Sequence, residues 1–185
     1  ESFEWAHTYA LSHAGECQDQ VGSVGGSKGN SVRLDKDNTL GTEFEKRLFA
    51  VNASSNPIYV CDGYIKIGRS NTQGGVILKP LSIQSGHSAN VEVSFSMADN
   101  KTDPTTIVVE IKGDGQIAGG QNGSLSELFT PIRNIDNDKA WQWSKVAVKI
   151  TGVTKDTQII IRSSQQNTKG YYRWFLDNIK VTRTK

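Results

Sequence analysis

The residues able to do chemistry are few and widely spaced. Three histidines, His7, His13 and His87, form no HExxH and share no zinc-ligand spacing with the two cysteines. Lone histidines of this kind read as solvated or hydrogen-bonded side chains. Cys17 and Cys61 make no CxxC; they are either one disulfide of an oxidising compartment or two buried thiols. Cys61, in the apolar run 58 to 61 (IYVC), reads as core. No G-x-S-x-G supplies a serine nucleophile. The glycine-rich stretch 22 to 29 carries Lys28, but Gly29 follows where a phosphate loop needs Ser or Thr, so it reads as a surface loop. A carboxylate pair remains. Glu92 and Glu110 take outward positions on expected strands, and glycoside hydrolysis needs only two acids about 5 to 10 Å apart. Ordinary solvated charges explain both residues equally well.

The elements that must position such groups are strands. Residues 91 to 97 (VEVSFSM) alternate apolar and polar, the mark of a sheet with one buried face. Residues 146 to 150 alternate less cleanly, and 106 to 112 and 157 to 163 are Val- and Ile-rich runs of deeper strands. Further strands are expected at 31 to 34, 58 to 61, 64 to 67, 76 to 83 and 171 to 181, separated by Gly, Asn, Asp and Ser clusters that read as turns. Helix is expected only at 42 to 49, where Thr42 and Glu45 fit a capping box, with one further turn at 124 to 129. About nine short strands in 185 residues point to an all-β fold, an antiparallel β-sandwich in a single domain spanning 1 to 185.

Composition narrows the classes. The chain is 36 % hydrophobic, too apolar for disorder, and no stretch approaches the roughly 18 to 20 apolar residues of a membrane helix. Basic residues exceed acidic ones by only 21 − 19 = 2 and form no dense block, which speaks against nucleic acid as a partner. Residue 1 is Glu with no leader pattern behind it, which reads as a processed protein or an excised part of a longer one.

The C-terminal strand holds a parity conflict. Trp174 and Leu176 share one face by period two, whereas Ile179 and Val181 share a face of opposite parity. Either one extra residue is accommodated at Asp177-Asn178 as a β-bulge and all four point to the core, or both faces of the strand are partly buried.

Three segments together resemble the jelly-roll carbohydrate-binding modules: Phe3-Glu4 at the start, 29 to 34 (GNSVRL), and 174 to 181 (WFLDNIKV) at the end. The middle of the chain, at 62 to 68, 91 to 95 and 143 to 161, is similar to domains of surface and secreted proteins of Bacteroidetes. The resemblance implies a jelly roll with a structural calcium tying the first strand to the last. Glu4 and Asp177 match its ligands, with backbone carbonyls near Gly29 as further donors. Calcium takes roughly six to eight oxygens, and here it would neutralise two convergent carboxylates. The resemblance also implies a sugar-binding surface of aromatic rings flanked by polar side chains. Trp5, Trp141, Trp143, Tyr171 and Tyr172 are the candidates. Trp143, just ahead of the Val146, Val148, Ile150 stripe, is expected to plug the core, and Tyr171 and Tyr172 adjoin the polar loop 165 to 170. The expected function is non-catalytic recognition of a polysaccharide or glycan, as a monomeric module beside neighbouring domains of a secreted or surface-bound bacterial protein. The alternatives are a structural or protein-interaction domain and, third, a jelly-roll hydrolase or lyase.

Overall fold

A computed structural model describes residues 1–7, 9, 31–51, 57–68, 72–100, 106–118, 125–130, 142–164 and 172–185. Twelve strands appear among them. They are β1 (Ser31–Arg33), β2 (Leu48–Ala50), β3 (Ile58–Cys61), β4 (Ile65–Ile67), β5 (Gly75–Leu78), β6 (Ala89–Asp99), β7 (Ile107–Lys112), β8 (Gln116–Ile117), β9 (Ser126–Phe129), β10 (Ser144–Val153), β11 (Gln158–Ser163) and β12 (Trp174–Thr184). Two antiparallel sheets result, one of seven strands ordered β1-β3-β4-β12-β6-β10-β8 and one of five ordered β2-β5-β11-β7-β9. From β4 to β12 every strand lies in the opposite sheet from its predecessor. That is the winding of a jelly roll, and the expected antiparallel β-sandwich is the fold observed.

The pleat explains the layering. Along β6, Val91, Val93, Phe95 and Met97 point inward, as do Val146, Val148 and Ile150 on β10. They meet Ile107, Val109 and Ile111 of β7 and Ile159 and Ile161 of β11 in one apolar core. β2, β8 and β9 were not expected as strands. All three are edge or near-edge pieces of two to four residues, too short to set up a period. Residues 126–129, read as part of a helical turn, form β9 because Val108 and Val109 of β7 offer them a ladder. β5 stops at Leu78, two residues before Pro80, rather than running to Ile83.

The helix is also displaced from its expected place. It spans Asn38–Glu45 (α1) rather than 42 to 49, and its cap is Asp37, whose Oδ1 accepts from the Thr39 and Leu40 amides at 2.8 and 3.0 Å. Leu40 and Phe44, four apart, form its buried face, which frees Leu48 to begin β2.

The parity conflict of the last strand resolves as a bulge. β12 pairs with β6 through Asp177 opposite Ser96 and resumes with Lys180 opposite Ser94, so three steps on β12 match two on β6. Asn178 takes φ 54°, a left-handed conformation that asparagine tolerates better than most residues. Trp174, Leu176 and Ile179 are buried, but Val181 is 37 % exposed at the open end of the sandwich.

Candidate functional site

The outer face of the larger sheet carries a row of outward side chains set by register alone. Arg33 lies opposite Tyr59, Tyr59 opposite Lys66, Lys66 opposite Phe175, and Phe175 opposite Ala98. Ser144 of β10 lies opposite Met97, which brings the preceding Trp143 beside Ala98 at the far end of the row. Trp143 is therefore not the expected core plug. Its odd number gives it the parity of Lys145 and Ala147, opposite to Val146 and Val148, and Ser144 takes the inward place. Its ring is 38 % exposed.

Aromatic packing fixes this ring. Tyr64, at the start of β4, stands edge-on to Trp143 with centroids 5.8 Å apart and edge-on to Phe175 at the same distance. Phe175 is fully buried though it faces away from the core, so Tyr64 and Trp143 rest on a firm base. Polar groups frame the row. The buried Lys66 holds its ammonium 4.7 Å from the centre of the Tyr59 ring. Arg33 makes a fork with Asp35, which, with Tyr59, holds its guanidinium above its usual pKa. Tyr59, Tyr64, Lys66 and Phe175 were not singled out from the sequence; the strand register that aligns them was the missing signal.

The other expected ligand residues fall elsewhere. Trp5 is half-buried, its Nε1–H donates to Glu1 Oε1 at 3.0 Å, and Arg47 covers its face at 4.6 Å from the ring centre. With Tyr9 edge-on at 6.2 Å, this ring is packed on both sides and does not join Trp143. Tyr172 is half-buried at the entry to β12. Gly68, at φ 91°, lies so close beneath its carbonyl that an added Cβ would come within 2.0 Å of the oxygen. Trp141, Tyr171 and Gly29 lie outside the described residues, as do Cys17 and the loop 165 to 170. Cys61 is buried, as expected.

The expected metal ligands Glu4 and Asp177 lie in the first segment and on the last strand, which are joined at one point. Glu1 pairs with Ile179 beyond the bulge, its carbonyl accepting from the Ile179 amide at 2.9 Å and its ammonium donating to the Ile179 carbonyl. Glu4 Oε1 lies within 3.8 Å of where a Cβ on Gly63 would stand. Burial, with the Glu4 charge added to it, pushes the Asp177 carboxyl above the usual aspartate range. Asn178 opposes this, donating to Asp177 from its amide at 2.6 Å and its side chain at 2.8 Å. Among the described residues no cluster of three or more His, Cys, Asp or Glu side chains stands ready to hold a metal. Two carboxylates completed by carbonyls and water still suit calcium rather than zinc.

The expected carboxylate pair is not a pair. Glu92 lies on the outer face of the larger sheet opposite Lys149 and Thr182, and Glu110 lies on the outer face of the smaller sheet. The whole sandwich separates them, and Glu110 is bound to Arg162, with Nε and Nη2 each 2.8 Å from Oε2.

No family model and no curated protein matches the sequence. Solved structures that superpose on the chain include the CBM22-1 xylan-binding domain from Paenibacillus barcinonensis, at 11 % identity and TM-score 0.43, covering 90 % of this chain and 97 % of that one. The C-terminal CBM6 of a marine laminarinase from Zobellia galactanivorans superposes at 14 % identity and TM-score 0.38, covering 82 % and 97 %. The K3 cleaved adhesin domain of Lys-gingipain from Porphyromonas gingivalis does so at 12 % identity and TM-score 0.46, covering 75 % and 95 %. At these identities the likeness concerns fold at most, and the fold stands on the strand order itself. No helix among the described residues is long and apolar enough to cross a membrane.

Proposed function

We propose that this chain is a non-catalytic glycan-recognition module that holds a sugar chain against the outer face of the larger sheet. The observation that carries the reading is Trp143, exposed at the end of an ordered row and propped by Tyr64 on a buried Phe175. A flat ring held at fixed tilt stacks on the apolar face of a pyranose at little entropic cost. The flanking Lys145 and the more distant Arg33–Asp35 pair supply hydrogen-bonding groups for hydroxyls. Such a module works by raising the local concentration of whatever it is attached to, as part of a secreted or surface-bound bacterial protein. The same reading assigns a structural calcium to Glu4 and Asp177, the two acids that match its ligands in the resemblance.

The test is a polysaccharide array probed with the wild-type chain, Trp143→Ala and Trp5→Ala, each with calcium and with EDTA. The reading expects glycan binding that Trp143→Ala abolishes and Trp5→Ala leaves intact, and a melting temperature that EDTA lowers. Binding indifferent to Trp143 would remove the proposed face. A second reading, a protein-docking domain, is favoured by the exposed Phe49, Leu125 and Leu128 on and beside the smaller sheet. It expects no glycan binding at all.

A further inference from the structure

The open end of the sandwich holds a pocket that the proposed sugar face does not use. After β5 the segment 79–88 crosses between the sheets, and Leu81 and Ile83 pack against the core from above. The segment is folded by a tight turn in which the Ile83 amide donates to the Leu81 carbonyl at 2.8 Å, and by a turn at Gly86 in which the His87 amide donates to Gln84 at 3.0 Å. Beneath it the ends of β6 and β12 run side by side, with Val181 opposite Val93 and Arg183 opposite Val91 on the inward face. A pocket of about 390 Å³ remains, with Val91, Val181, Leu81 and Ile83 as its apolar lining. This is the size range of small-molecule sites.

The polar lining is one-sided in charge. Arg183 and His87 stand at the rim with Gln84 and Ser88, and the lining contains no carboxylate. A second shallow groove, lined by Ser88, Asn90 and Thr184, continues past Arg183. Arg183 makes no ion pair among the described residues, and Glu92, paired with the neighbouring Thr182 across the ladder, points to the other face of the sheet. A guanidinium left without a counter-charge over an apolar floor selects a ligand with both properties.

We infer that this pocket binds a one-ring organic acid, its apolar face on Val181, Leu81 and Ile83 and its carboxylate on the Arg183 guanidinium. A uronic acid sugar and a cyclic carboxylic acid share that chemistry. The inference stands apart from the sugar face around Trp143, which lies on the opposite side of the same sheet.

The experiment is an amide and arginine Nε–H nuclear magnetic resonance titration of the whole chain with glucuronate, cyclohexanecarboxylate and neutral glucose in parallel. Saturable shifts confined to Ala89, Val91, Val181 and Arg183 are expected with an acid and not with glucose. Arg183→Gln, at an exposed position that leaves the fold intact, should weaken the effect about tenfold, as for a lost charge-assisted hydrogen bond. Response to glucuronate alone identifies the acid as a sugar, and response to cyclohexanecarboxylate alone identifies a non-sugar acid. Absence of saturable shifts with both acids at concentrations on the order of 10 mM, equal response to glucose, or unchanged affinity in Arg183→Gln would each overturn it.

Discussion

The two outer faces of the sandwich obey the same pleat and present opposite surfaces. On the larger sheet the row from Arg33 to Trp143 holds rings and cations, with Ala98 between Phe175 and Trp143 and Tyr64 in contact with both rings. On the smaller sheet the outward positions are aliphatic, but Val108 and Ile160 are buried and Ile77 half-buried, leaving Phe49 and Leu128 half-exposed at its two edges. Its polar element is the Glu110–Arg162 pair, which lies over Gly75, where a Cβ would come within 2.4 Å of the Arg162 Cβ. A sugar needs flat rings beside fixed hydrogen-bonding groups, whereas an aliphatic face suits another protein. The two faces differ in kind, and the difference can be broken at either one.

The largest expected effect is Phe175→Ala. Its ring is fully buried beneath Tyr64, so truncation should cost about 3–5 kcal/mol of stability, read by denaturant melts, and abolish glycan binding as well. Glu110→Gln comes next. It breaks a half-buried ion pair whose side chains are 24 % and 26 % exposed, and should cost about 1–3 kcal/mol with glycan affinity unchanged. A loss of glycan binding in that variant would mean that the smaller sheet shares the site. Trp143→Ala should change stability by no more than about 1 kcal/mol, since its ring is already open to solvent, while affinity falls at least about tenfold in calorimetry.

Asp177 gives the smallest effect and a clear sign. Burial and the nearby Glu4 raise its carboxyl in the folded chain, so in the acid range the folded state holds a proton that the unfolded state has released. Stability from this group is full below the ordinary aspartate pKa and is lost as pH rises through the folded value. Subtracting the Asp177→Asn melting profile from that of the wild type in EDTA should leave a difference that declines across that window. Calcium, by neutralising the carboxylate pair, should flatten it.

How much of this was legible in the sequence differs by residue. Local parity exposed the conflict in the last strand, because one strand contains both halves of it, but left a bulge at Asp177-Asn178 and two partly buried faces both open; the register with β6 decides for the bulge. The same parity places Trp143 outside the core, but the nearness of the Val146 stripe outweighed it in the expectation. The helix at Asn38–Glu45 was displaced because Thr42 and Glu45 imitate a cap that Asp37 provides. Tyr59, Lys66 and Phe175 were out of reach. Their alignment depends on two pairings, Tyr59 with Lys66 and Lys66 with Phe175, the second between residues 109 apart in sequence (66 to 175), and nothing local encodes such a register. The separation of Glu92 from Glu110 is of the same kind, since only the alternation of strands between sheets puts them on opposite faces.

The most direct test of the central claim follows the tryptophan indole N–H resonances while a bound oligosaccharide is titrated into the labelled chain. A saturable shift of the Trp143 indole is expected, with the indoles of Trp5 and Trp174 unmoved, the first held by Glu1 and the second buried in the core. An oligosaccharide that binds while the Trp143 resonance stays in place would contradict it.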